Sequence, residues 1–268
     1  MMITSWDDYK KWVSDLVRNN HTYFFRGQQD LTWKLETTFQ RYAAKNGISW
    51  RDYFDKILPD VYYSSAAFGY RVDDPTDEND VGGFLAKLQH HGFPTPLLDW
   101  TMSPYVAAYF ALKDIDPRKV DANGNVKIYM FDFQLWRSSY MQVPMLLAGD
   151  SPFLSEFKPA YVDNQRLVSQ MAVTTVTNVP DVELYLNNIK QTTGKTFLYY
   201  ALLPIKERRL IMNELNLMGI SSATMFPDFD GMCMSLKERH FNNIDPIVKS
   251  IPNAVPLPPP LSGAKQLG

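Results

Sequence analysis

The chain has almost no cysteine: Cys233 stands alone among 268 residues. One thiol allows neither an intrachain disulfide nor a multi-cysteine zinc site, which fits a reducing compartment. A surplus of either charge is also missing, since 27 Lys and Arg face 29 Asp and Glu for a net charge of −2. That balance argues against a dominant face for a phosphate backbone, so nucleic acid is not the expected partner. No apolar run approaches the roughly 20 residues that span a bilayer. The opening MMITSWDDYKKW carries acids where a signal peptide has a cationic start and an apolar stretch. Histidine is scarce, with four in all; His90 and His91 are adjacent, so on a helix or strand they point apart and do not readily share a metal. These absences describe a cytoplasmic protein with no membrane segment and no metal centre.

What is there is a chain of 45% apolar residues, enough to bury a full core. Ser5 to Arg18 reads as a capped amphipathic helix, with Asp7 and Asp8 in the first turn. Tyr23 to Gly27, YFFRG, reads as a buried strand. Leu35 to Tyr70 is helical in pattern, broken at Gly47 and Pro59. Its aromatics Tyr42, Trp50, Tyr53, Phe54, Tyr62, Tyr63 and Phe68 are expected to pack onto the body of the domain. DDPTDEND, Asp73 to Asp80, reads as an acidic connector. A helix ends near His91, Leu97 to Trp100 forms a strand, and Thr101 or Ser103 caps a helix with Pro104 at its first position. Further on, Asp121 to Gly124 is a turn and Val126 to Phe133 a strand. Residues 140 to 160 look irregular, Asn164 to Gln170 starts a helix, and Phe197 to Leu203 is a strand. Ile205 to Met218 is a helix, Thr224 to Phe226 a short strand and Met232 to Phe241 a helix. Pro252 to Gly268, with PLPPPL, reads as a tail. The class is therefore α+β, with a mixed or antiparallel central sheet flanked by helices.

Two polar residues sit where apolar runs should exclude them. Asp99 lies between Leu97, Leu98 and Trp100, and burying a carboxylate there costs several kcal/mol unless it is compensated. Arg26, hemmed in by Tyr23, Phe24 and Phe25, is the candidate for the opposite charge. Unpaired amides at the helix start after Ser103, beside hydroxyls and opposite an arginine, would make an anion cradle; the bland alternative is that Ser103 only caps. His90 bonded to Asp99 would serve as an acid–base pair or an orienting strut. Cys233, in an apolar context, reads as a buried inert thiol.

Phe25-Arg26-Gly27, the block QHHGFPTPLLDWT at Gln89 to Thr101, NQRLVSQ at Asn164 to Gln170 and MFPDFDGM at Met225 to Met232 together resemble the FRG domain family. Pro96 departs from the family's usual basic residue, and Met171 and Val173 from its glycine and aromatic. The resemblance implies one domain over residues 1–250, with a helical insertion at 35–70 and a proline-rich tail at 251–268. The order of motifs also resembles, more distantly, the Arg-Ser-Glu class of ADP-ribosyltransferases. That second resemblance implies an ADP-ribosyltransferase-like fold and NAD as a substrate, with Arg26 and Gly27 at its phosphates and Thr101 and Ser103 as the hydroxyl block. It implies a toxin or phage-defence effector that binds a nucleotide-type small molecule and acts on a protein target. No catalytic glutamate stands out; Gln170, Asp228, Asp230 and Glu238 are candidates beside Arg26, His90 and Asp99. A non-catalytic nucleotide- or protein-binding module of the same fold is the alternative. A hydrolase built on His90 and Asp99 lacks a nucleophile elbow.

Overall fold

Helix formation starts where the sequence supplies a cap. In the computed structural model, which describes residues 3, 5–19, 21–116, 124–158 and 168–241, the Ser5 hydroxyl accepts the Asp8 amide and opens α1 (Trp6–Val17). Trp6, Tyr9 and Val13 fall on one face of that helix and are buried. The strands are β1 (Tyr23–Gln28), β2 (Leu97–Thr101), β3 (Asn125–Asp132), β4 (Leu154–Phe157), β5 (Ala172–Thr177) and β6 (Leu198–Pro204). They form one sheet in the order β4-β5-β2-β1-β3-β6 with every neighbouring pair antiparallel. Between β1 and β2 come α2 (Thr38–Asn46), α3 (Trp50–Asp52), α4 (Leu58–Ala66) and α5 (Glu78–His90). After β2 come α6 (Pro104–Leu112), α7 (Phe133–Ser139), α8 (Val182–Thr193), α9 (Arg208–Leu217), α10 (Ser222–Met225) and α11 (Phe229–Phe241). The chain is thus α+β with an antiparallel sheet.

Strand alternation decides which helices cover which face. Phe25, Ile128, Met130 and Ala201 pack against Trp6 and Tyr9 of α1, Ala107 and Ala111 of α6, and Ile211 and Leu215 of α9. Phe24, Trp100 and Phe131 point the other way, onto Trp136 of α7 and Val182 and Leu186 of α8. A third cluster joins Phe39, Tyr53, Leu58 and Leu85 of the helices after β1 to Leu97, Val176 and Phe157 of the sheet. β3 runs beside β1 from Tyr23 to Gln28. β1 and β2, however, meet at a single pair, Phe25 with Thr101, which leaves a seam in the middle of the sheet.

Several expectations are corrected. Tyr42, Tyr63 and Phe68 are exposed, because only the Trp50 and Tyr53 side of these helices meets the core. Pro59 does not break the helix. A π turn at Tyr53–Ile57 carries α3 into α4, and a wider turn there gives the proline ring room where a regular carbonyl would collide with it. The acidic stretch is only in part a connector: Asp77 accepts the Asn79 and Asp80 amides and caps α5. The segment 140–160 contains edge strand β4. Ser222–Met225 is a helical turn capped by Ser221 rather than part of a strand. Cys233 is exposed on α11. The expected turn at 121–123, residues 164–167 of NQRLVSQ and the tail lie outside the described residues. Among the described residues no helix is long and apolar enough to cross a membrane.

Candidate functional site

The two odd residues of the sequence arrive at one place by different routes. Along β2, Leu98 and Trp100 face α7 and α8, so Leu97, Asp99 and Thr101 face the opposite side. Asp99 is therefore not enclosed by its apolar neighbours. It stands on the floor of a cleft of about 360 Å³ with Gly27, Thr101 and Thr174. Ala86, Gln89 and His90 of α5 form one wall, and Ala107 and Phe110 of α6, with Phe226, the other. The volume is at the lower end of the range for small-molecule sites.

Asp99 Oδ2 accepts a hydrogen bond from Gln89 Nε2, and Thr174 adds a second. Asp99 is exposed to the cleft, and the protein packed around it partly desolvates its carboxylate. That desolvation raises its pKa above the usual carboxylate range, and Arg26, Gln89 and Thr174 offset it only in part. Arg26 is paired across the ladder with Tyr129, so its side chain leaves β1 on the α7–α8 face. It crosses the seam and donates from Nη1 to the main-chain carbonyl of Asp99 at 2.5 Å. The expected pairing is thus corrected in kind: the guanidinium holds the backbone of Asp99, and the carboxylate is held by an amide. Arg26 Nε is buried with no hydrogen-bond partner among the described residues. Desolvation lowers the pKa of this arginine while Asp99 opposes that shift; an arginine remains cationic throughout.

The hydroxyl block is spent inside the protein. Ser103 Oγ accepts the Val106 amide at 3.2 Å and caps α6. The Ser103 amide donates to Thr101 Oγ1 at 3.0 Å, and that hydroxyl donates to the Gln170 carbonyl at 2.6 Å. The Ser103 hydroxyl thus takes up one amide of this helix start, as the capping alternative expects, and Ser103 lies off the cleft lining. Gly27 leaves space for α6: a Cβ there would lie 2.0 Å from the Ala107 carbonyl oxygen. What approaches its backbone closely is a helix.

Gln170 lines the cleft, but its amide donates to the Met225 carbonyl at 2.9 Å. Asp228 accepts the Gly231 amide at 2.8 Å and, like Asp230, is not among the lining residues. Glu238 pairs with Arg208 at 2.8 Å, also off the cleft. The structure thus brings together Arg26, Gly27, His90, Asp99, Thr101 and Gln170, and leaves out Ser103 and Asp228. The residues that sequence reasoning passed over are Gln89, Thr95 and Thr174. The hydroxyl of Thr95 donates to Gln89 Oε1. Gln89 opens the QHHGF block and Thr95 stands between two prolines, the one signal that could have marked them. Among the described residues no group of three or more His, Cys, Asp or Glu could hold a metal ion.

No curated protein and no solved structure matches the chain. Residues 21–120 do match a known family. That stretch carries β1, β2 and α2 to α6, and with them Arg26, Gly27, Gln89, His90 and Asp99. The family is the FRG domain, and the match supports placing the cleft-bearing segment of this chain in it.

Proposed function

We propose that the cleft binds a nucleotide-type ligand, with NAD as the substrate, and that the chain is an ADP-ribosyltransferase-like enzyme. The observation that carries this reading is the placement of one guanidinium and one carboxylate in the same cleft beneath an aromatic wall. Arg26 suits phosphate oxygens, having a fixed charge and a planar fork of donors. Asp99 suits the developing charge of a ribosyl cation. In the reaction the C–N bond between nicotinamide and ribose breaks and nicotinamide leaves with the electron pair. A nucleophile of a protein target then bonds to the anomeric carbon and gives up its proton. The setting that accompanies this reading is a toxin or defence effector. The unit that performs it is taken as residues 1–250, since β3 to β6 complete the sheet around the matched segment and α1 packs onto it.

A second reading is favoured by a specific observation. Of the candidate carboxylates, only Asp99 lines the cleft, and the Gln170 amide is engaged elsewhere. If Asp99 is used to hold ligand hydroxyls, no second carboxylate among the described lining residues remains for bond cleavage, and the protein is a non-catalytic nucleotide-binding module.

Titrating the full chain with NAD by calorimetry and following nicotinamide release by chromatography separates the two. The enzymatic reading expects binding and release, with release at least 100-fold slower in Asp99→Asn. Binding without release assigns the module. Absence of both removes NAD.

A further inference from the structure

We propose that Gln89 is the positioning residue of this cleft: its side-chain amide, locked by Thr95, aims the Asp99 carboxylate toward the hydrogen-bond donors of a ligand. The inference rests on the cleft being the binding site. It concerns how the site is held ready.

A glutamine amide has two ends of nearly the same shape, one that donates and one that only accepts. An ionised carboxylate only accepts, so the amide supports Asp99 when its NH2 end faces the cleft. The other end decides whether it does. Gln89 Oε1 accepts from Thr95 Oγ1, and Gln89 Nε2 donates to Asp99 Oδ2. Thr95 is fully buried and is itself fixed. Its amide donates to Thr38 Oγ1 at 3.0 Å, and its carbonyl accepts the Phe39 amide at 3.0 Å. The adjacent Pro94 carbonyl accepts the Tyr53 hydroxyl at 2.9 Å. The helices inserted after β1 thereby hold the turn that holds Gln89. Among the described residues lining the cleft, the charged or titratable groups beside Asp99 are Arg26 from β1 and His90 from α5, while β5 offers Thr174 and α6 offers Ala107 and Phe110. Arg26 donates to the main-chain oxygen of Asp99, while Gln89 and Thr174 donate to its carboxylate.

The test is a carbon-detected NMR titration of the Asp99 carboxyl in the full chain, which needs no ligand. Gln89→Leu and Thr95→Val should each move its midpoint upward, because each weakens donation to the charged form. The double variant should move no further than Gln89→Leu alone, since Thr95 acts through Gln89. Thr95→Ser, which keeps the hydroxyl, should titrate like the parent. An unmoved midpoint in either single variant, or additive shifts in the double, overturns the proposal. In parallel, Gln89→Leu should weaken NAD binding at pH 7 about tenfold. If the parent fails to bind NAD while the midpoints move as expected, the positioning role stands and NAD falls.

Discussion

Two residues in this protein carry a cost that their neighbourhood does not remove. Asp99 is the first. Its raised pKa means that the folded chain holds the proton more tightly than the unfolded chain does. The penalty of the charged form is therefore absent below the unfolded pKa and fully present above the folded one. Asp99→Asn should accordingly melt no earlier than the parent at pH 7, with the two melting temperatures converging as pH is lowered, while ligand binding is lost. Thermal melts across that range check it, and a variant that melts earlier at pH 7 would show that the carboxylate stabilises the fold. Met171 is the second. It is the one non-glycine residue with positive φ, at 45°, among the described residues. A left-handed conformation costs a side-chain-bearing residue about 1–2 kcal/mol. Met171→Gly is expected to stabilise the chain by about 1 kcal/mol, read from the urea midpoint.

The segment from β2 into α6 shows how an element can be read from sequence while the partners of its hydroxyls cannot. Leu97 to Trp100 as a strand, Ser103 before Pro104 and the helix beyond were all legible, because propensity, proline position and cap agree there. Of the two hydroxyls there, Ser103 caps α6 and Thr101 bridges the Ser103 amide and the Gln170 carbonyl. Ser103→Ala should therefore cost about 1 kcal/mol of stability and leave ligand affinity unchanged; a loss of affinity greater than the loss of stability would reopen the cradle. Elements that the sequence concealed have physical reasons for being obscure. β5, AVTTVT, follows the helical turn before Gln170 with no glycine or proline between them, only Met171 in a left-handed conformation. β4 is a four-residue edge strand amid prolines. Ser221 to Met225 has the β-branched Thr224 but is held helical by a reciprocal cap between Ser221 and Thr224. Within the cleft, Arg26 and Asp99 were conspicuous as charges inside apolar runs. Gln89, Thr95 and Thr174 were not, since uncharged polar residues at such positions look the same whether they face solvent or each other.

At the scale of the molecule, the family match ends well before the fold does. Residues 21–120 supply β1 and β2 and none of the other strands. They also lack Arg208, which is buried and donates to the Leu112 and Lys113 carbonyls at the end of α6 while pairing with Glu238. Expressed alone, residues 21–120 should give the collapsed amide dispersion of an unfolded chain in a two-dimensional NMR spectrum, whereas residues 1–250 should give a dispersed one. The sheet itself consists of two three-stranded halves, β4-β5-β2 and β1-β3-β6, stitched by the Phe25–Thr101 pair and the Arg26 side chain. A ligand that recruits the guanidinium draws out one of these two stitches. Deuterium uptake at the amides of β1 and β2 should then quicken on binding even as the walls of the pocket are shielded, so occupancy would announce itself as loosening in the centre of the protein.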